Sequence, residues 1–350
     1  TEKLLRTTDR GVTFAEISPD LTKNEKDKQG LNGGPITAEN VGAEFYGTIL
    51  TVTASPHESG TVWVGSDDGL IHVTRNDGES WDEVTPHDLR GAMVNAIEVS
   101  PHDPGTAYIA VTGYKMNDFR PYIYKLTDFG RQSKRIDRDL PNDNFIRVVR
   151  EDPERQGLLF AGGEVSIYVS FDEGDHWQSL GLNLPPVPIT DLAIRQSDLV
   201  AATQGRAFWV LDDLSALRQV RNEMADKPLH VFTPGTVEII RGGEPSEAPE
   251  GKGQNPSRGV VLNYHIRDEQ EVSLTIEITD SDGNRVRTYS SEEGDFESCI
   301  ISNMDQRLPF EVEYPPKEQG ANKWVWDMRR NGLHCIDDIR LFEGFAGAYV

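Results

Sequence analysis

A chain of 350 residues is long enough for two domains and a sizeable core. Its 58 acidic and 35 basic residues give a net charge of −23, which argues against a nucleic-acid partner, because phosphate contacts need clustered Lys and Arg. No run of about 18 apolar residues offers a transmembrane helix, and the 32 glycines suit a turn-rich all-β protein better than a helical one.

In chain order, residues 1–14 read as two strands joined by a turn, Thr7 to Phe14 (Thr-Thr-Asp-Arg-Gly-Val-Thr-Phe). A polar connection over 15–46 follows, too long for an ordinary loop. A complete unit then has strands at 48–54, 62–65, 70–73 and 81–84, with the turn Thr74 to Trp81 (Thr-Arg-Asn-Asp-Gly-Glu-Ser-Trp) before the last. The next has strands at 94–99, 107–111 and 122–126, and a weaker turn copy from Leu126 to Ser133. A third has strands at 145–149, 158–161 and 167–169 and the turn Ser170 to Trp177. The last, with strands at 189–194, 199–203 and 208–213, has lost the turn's Gly and Trp.

The shared skeleton is hydroxyl, any residue, Asp or Asn, any residue, Gly, any residue, Thr or Ser, aromatic. It makes sense as a hairpin turn. The Asp or Asn oxygen accepts nearby backbone N–H groups, Gly supplies positive φ, and the aromatic starts the next strand. Asp9, Gly11, Asn76, Gly78, Trp81, Asp128, Gly130, Asp172, Gly174 and Trp177 are therefore read as structural. The glycines are spaced by 67, 52 and 44 residues. Four short strands in roughly 40–50 residues match a β-propeller blade. The expected fold is a partial β-propeller of about four blades plus a half blade over 1–225.

After Val220 the pattern changes. Residues 241–258 read as an exposed linker, and strands at 260–266, 272–279, 285–289 and 322–327 suggest an incomplete immunoglobulin-like β-sandwich over 226–350. The chain opens inside a repeat and reads as a piece of a longer polypeptide. Cys299 and Cys335 allow a disulfide but form no disulfide framework or zinc pattern.

The repeated skeleton resembles the Asp-box, or BNR repeat. Ser100 to Tyr108, Asp118 to Tyr122, Arg206 to Asp213 and Trp324 to Asp327 resemble the large bacterial sortilin-like BNR-repeat "glycosyl hydrolase" proteins. That resemblance implies a propeller with a C-terminal immunoglobulin-like domain and leaves activity open. Where it implies a His before the last blade's Gly-Arg, this chain has Gln204.

In a propeller the repeated turns share one end with the Ser-Pro-His turns at 55–57 and 100–102, and ligands take the other end by fold analogy. Glu44, Tyr46, Asp67, Asp68, Tyr114, Lys115, Asp118, Arg120, Glu164, Arg206 and Trp209 are expected there. Tyr46, Tyr114, Arg120, Arg206 and Trp209 are candidate ligand contacts; Asp67, Asp68, Asp118 and Glu164 are candidate acids and bases for glycoside hydrolysis. Arg90, Arg120 and Arg206 are too few for a sialidase. No metal-ligand spacing appears, and no cofactor is expected. Two functions remain: a periplasmic or secreted recognition module for a protein or glycan, and an inverting glycoside hydrolase.

Overall fold

A computed structural model describes residues 2–30, 45–89, 91–224, 226–238, 253, 255–268, 273–292 and 314–330. Glu44, Arg90, Cys299 and Cys335 lie outside these. The chain divides into two compact units, Thr1–Asp212 and Asp213–Val350, just ahead of the boundary read from composition.

The first unit opens on the antiparallel pair β1 (Leu5–Arg6) and β2 (Ala15–Glu16). Three four-stranded antiparallel meanders follow: β3 (Ile49–Ala54), β4 (Val62–Ser66), β5 (Ile71–Thr74) and β6 (Asp82–Glu83); β7 (Met93–Val99), β8 (Ala107–Gly113), β9 (Asp118–Thr127) and β10 (Gln132–Arg135); β11 (Ile146–Glu151), β12 (Leu159–Gly163), β13 (Ile167–Ser170) and β14 (Gln178–Ser179). A three-stranded sheet closes the unit, β15 (Ile189–Arg195), β16 (Asp198–Thr203) and β17 (Phe208–Leu211). The first strands of successive sheets, β3, β7, β11 and β15, lie side by side. The sheets are therefore blades about a common axis, and the unit is a partial β-propeller.

Packing between blades explains the strand sequences. Every residue of β8 and of β12 is buried, so these second strands read as continuous apolar runs rather than alternations. The core between the first two full blades mixes Trp63, Ile71 and Val73 of one with Val94, Ile97 and Ile109 of the next. Gly65 is needed there, since a Cβ would lie 2.4 Å from Val94 Cγ1. Each first strand also carries one bulge, at Leu50, Asn95, Arg147 and Thr190, where two residues oppose one on the second strand.

The repeated turns share one hydrogen-bond circuit. The hydroxyl oxygens of Thr7, Thr74 and Ser170 accept the N–H of Gly11, Gly78 and Gly174 at 2.8, 3.0 and 2.9 Å. Oδ1 of Asp9, Asn76 and Asp172 accepts the N–H of Thr13, Ser80 and His176 at 2.9, 3.0 and 2.9 Å. Hydrogen bonds led by the Thr13 hydroxyl pull the Asp9 carboxyl down to about 2. Two turns then grip the preceding blade: Trp81 Nε1 donates to the Ile17 carbonyl at 3.0 Å, and Trp177 Nε1 to the Ile136 carbonyl at 2.5 Å. On the same end, ring nitrogens of His57 and His102 meet the Ser100 and Asp152 carbonyls of the following blade at 2.9 and 2.7 Å.

A polar row laces the first strands. Thr53 Oγ1 donates to the Ile97 carbonyl at 2.9 Å, Arg150 lies 3.5 Å from Glu98, and its other nitrogens donate to Asp191 at 2.7 Å and the Leu192 carbonyl at 2.8 Å. Burial pushes the Glu98 carboxyl up to about 7, outweighing the nearby guanidinium.

In the second unit, a short helix α1 (Ser215–Gln219) precedes two antiparallel sheets. One orders β18 (Leu229–Val231), β19 (Val260–Ile266) and β22 (Gly320–Trp326); the other pairs β20 (Thr275–Thr279) with β21 (Arg285–Ser290). Tyr289 of one sheet meets Trp324 of the other edge-to-face at 5.1 Å, a sandwich-like contact.

Two stability outcomes follow. Gly78 has φ +93° and would place a Cβ 2.2 Å from the Ile17 carbonyl oxygen. Gly78→Ala should cost about 3 kcal/mol or more by urea unfolding, whereas Gly205→Ala, at φ +95° in open space, should cost about 1 kcal/mol. Glu98 binds its proton more tightly folded than unfolded, so its contribution is complete below about 4.5 and lost as pH rises through about 7. That loss is on the order of 2–3 kcal/mol, and Glu98→Gln should flatten the pH 4.5–7 stretch of the stability profile; an unchanged slope would assign the proton elsewhere.

Candidate functional site

The antiparallel meander puts the turns between strands three and four, and those between strands one and two, at one end of each blade. Loops between strands two and three, and connections between blades, lie at the other. The residues picked from sequence on that loop end fall into three groups.

At the first full blade, Asp67 Oδ1 accepts the N–H of Gly47 at 3.0 Å and of Thr48 at 2.7 Å. Asp68 is fully buried, accepting the Lys23 N–H at 2.7 Å and the Ser66 hydroxyl. These carboxylates pin two passing segments to the β4–β5 turn. The Tyr46 hydroxyl reaches Glu25 at 3.4 Å, and the Lys28 ammonium lies 5.6 Å from its ring centroid.

Between the second and third full blades the loop end is aromatic and cationic. The ring of Tyr114 stacks on Phe145 with centroids 5.2 Å apart and planes 19° apart, and Phe119 approaches the same ring at 6.3 Å. The Arg147 guanidinium lies 4.8 Å from the Phe145 centroid and 5.7 Å from that of Tyr114, while bonding Glu164 at 2.7 Å. Such cation–π contacts keep the guanidinium oriented at modest cost. The Glu164 N–H is held by Asn144 Oδ1 at 2.6 Å, fixing the loop that carries the carboxylate. Around this centre Met116, Phe119 and Val165 are exposed. Asp118 takes both Nε and a terminal nitrogen of Arg120, at 2.9 and 2.7 Å, and the Tyr122 hydroxyl at 2.7 Å. The Arg120 guanidinium holds the Asp118 carboxyl well below the usual carboxylate range.

In the last blade, Trp209 Nε1 donates to the Arg206 carbonyl at 3.0 Å. The indole lines a shallow apolar cleft with Leu180, Leu182, Leu184 and Leu199. Arg206 and Phe208 are exposed beside it.

Chemically, the middle group can stack a flat apolar surface on Phe119 and Tyr114 while the Arg147 and Arg120 guanidiniums face polar atoms. Phe119, Phe145 and Arg147 were not among the residues singled out from sequence. Nor was Glu98, whose carboxyl, unlike that of Asp118, is shifted upward. Among the described residues no group of three or more His, Cys, Asp or Glu could hold a metal, and no helix is long and apolar enough to cross a membrane.

No family model and no curated protein matches the chain. Solved structures do. The protein YCF48 bound to D1 peptide is 20% identical with a TM-score of 0.36, over 47% of this chain and 52% of that one. The GH74 xyloglucanase from Xanthomonas campestris is 18% identical with a TM-score of 0.45, over 61% and 34%. YCF48 from Cyanidioschyzon merolae is 17% identical with a TM-score of 0.35, over 47% and 53%. The chain thus spans about half of the YCF48 chains and about a third of the xyloglucanase.

Proposed function

We propose that the loop end of the propeller unit is a non-catalytic recognition surface for a protein or glycan in a periplasmic or secreted setting, on a scaffold of the sortilin-like BNR-repeat kind. One contrast carries this reading. Asp67, Asp68, Asp118 and Glu164 are each already bonded to backbone N–H groups or a guanidinium, while Met116, Phe119 and Val165 are exposed around the Tyr114–Phe145 stack beside them.

Inverting hydrolysis needs one carboxylic acid that keeps its proton near neutral pH and a second carboxylate roughly 6.5–9.5 Å away. Asp118 is shifted the wrong way for the acid, Asp67 and Asp68 are spent on holding passing segments, and Glu164 is paired with Arg147. Aromatic stacking and guanidinium contacts suffice for binding, without metal or cofactor. The acidic net charge supports a partner other than nucleic acid.

One observation favours a second reading, inverting hydrolysis of a polysaccharide. Glu98, raised to about 7, and Asp191 flank the same Arg150 guanidinium, so Glu98 would serve as the acid and Asp191 as the base.

Polysaccharide and peptide panels separate the two. We expect retention of a ligand without release of reducing sugar, with Arg147→Ala and Phe119→Ala each weakening binding about tenfold or more. Reducing-sugar release that Glu98→Gln abolishes would establish hydrolysis and overturn the binding reading.

A further inference from the structure

The seam between the first two full blades is apolar, and the next seam is not. Strand pairing sets the comparison. Trp63 and Val73 are partners on β4 and β5, as Tyr108 and Lys125 are on β8 and β9. Val99 and Glu151 also stand at one place, each opposite the residue that opens its second strand. Trp63 and Val73 pack with Val99 in one core. Across the following seam the Tyr108 hydroxyl reaches Glu151 Oε1 at 3.4 Å, the Gly157 N–H donates to the same oxygen at 2.9 Å, and Lys125 pairs with Glu173 at 2.7 Å. Glu151 is 2% exposed, and its Oε2 has no hydrogen-bond partner among the described residues.

Beside it the Glu98 carboxyl accepts the Glu151 N–H and lies 3.5 Å from Arg150. The charged and titratable groups around Glu98 are Arg150 and Glu151 on β11, Asp191 on β15 and Tyr108 on β8; β3 and β4, which also pack on β7, carry none. Two carboxyls thus share this seam with a guanidinium already bonded to Asp191 and the Leu192 carbonyl. An ionised carboxyl held there gains by reaching water, whereas parting an apolar seam gains nothing of the kind. The same seam runs beneath the middle group of the loop end. Tyr114 and Phe119 come from the second full blade, and Phe145, Arg147 and Glu164 from the third. Arg147 and Arg150 lie on one strand, β11.

We propose that the seam between the second and third full blades is a proton-operated latch, shut while Glu98 is neutral and parted when it ionises, so that the Tyr114–Phe145 stack is drawn open. Burial raises the Glu98 carboxyl to about 7 in the shut seam, and water returns it toward its ordinary 4.5 once the seam parts. Closure is therefore favoured in full below about 4.5, and that advantage is lost by about tenfold per pH unit as pH rises through about 7. On the reading of the loop end as a recognition surface, a molecule bound across the stack holds the seam shut and so takes up a proton, by reciprocity.

A buried thiol reads the seam with no bound molecule. Ala161 pairs with Val149 as Ile109 pairs with Ile97 in the apolar core, so Ala161 faces the polar seam; Ala107 belongs to the apolar one, and both are 0% exposed. In a Cys299→Ser, Cys335→Ser background, Ala161→Cys and Ala107→Cys are labelled with a thiol reagent from about pH 5 to about pH 8. Each rate is divided by that of the same chain unfolded in urea, which removes the thiolate chemistry. We expect the Ala161→Cys ratio to rise about tenfold or more and level off above about pH 7, and at pH 8 to exceed that of Ala107→Cys about tenfold or more. Glu98→Gln should abolish the rise. Ala110→Cys, on the second blade's side of the seam, and Glu98→Ala serve as second variants if either fails to fold by circular dichroism. A ratio flat with pH, equal ratios at the two reporters, or a rise that Glu98→Gln leaves in place would overturn the proposal. Peptide and polysaccharide panels that retain nothing would overturn the recognition reading alone.

Discussion

An indole N–H bonded to a carbonyl of the preceding blade holds this propeller in register. The bond itself contributes only about 1 kcal/mol net. Its importance lies in what must be in place before it can form. The turn must be closed by its own hydroxyl and carboxyl or amide, the glycine must stand at positive φ, and no Cβ can lie between glycine and neighbour. The first and third full blades are thereby each set against the blade before them, and the first strands fall into a row about the axis. At the loop end Asp67, Asp68 and Asn144 hold passing segments in place while Phe119 stays exposed, and loops positioned in this way by a scaffold are where proteins carry binding.

The turn was legible in sequence because its chemistry is local. Hydroxyl, acid or amide, glycine and aromatic within eight residues define the circuit that forms at Asp9, Asn76 and Asp172. The third copy shows how much variation that reading tolerates. Leu126 offers no hydroxyl, so a backbone bond takes over: the Gly130 N–H goes to the Thr127 carbonyl at 3.1 Å, while the Arg131 N–H bonds the Asp128 carbonyl at 3.2 Å as Glu79 and Asp175 bond Asn76 and Asp172 in the other copies. Asp128 and Phe129 both adopt positive φ, at 51° and 54°. Phe129 packs under the Arg75 guanidinium, 3.7 Å from its ring centroid, and Gly130 still presses on Val84.

The middle group of the loop end was only half legible. Tyr114 and Glu164 lie in turns, and Asp118 and Arg120 at the head of β9 beside one, so all four stand out. Phe145 and Arg147 lie at the head of an apolar strand, where strict alternation gives no reason to single out a cation. The bulge there shifts the side-chain order by one residue, and the partner ring comes from a loop in the preceding blade. Glu98 escaped for a related reason. Its upward shift comes from burial against the first strand of the next blade, which outweighs the opposing pull of Arg150 there, and neither can be read from spacing along one strand.

The bulge recurs at the head of all four first strands, and its residue is not held to one chemical type: Leu50, Asn95, Arg147 and Thr190. Three of these side chains bond across to the end of their own second strand, Asn95 to Thr112, Arg147 to Glu164 and Thr190 to the Ala202 carbonyl. A residue outside the ladder can be exchanged without unpicking it. The rim of this molecule therefore has one interchangeable seat per sheet, and drift at those seats could retune what the protein recognises while its folding stays intact.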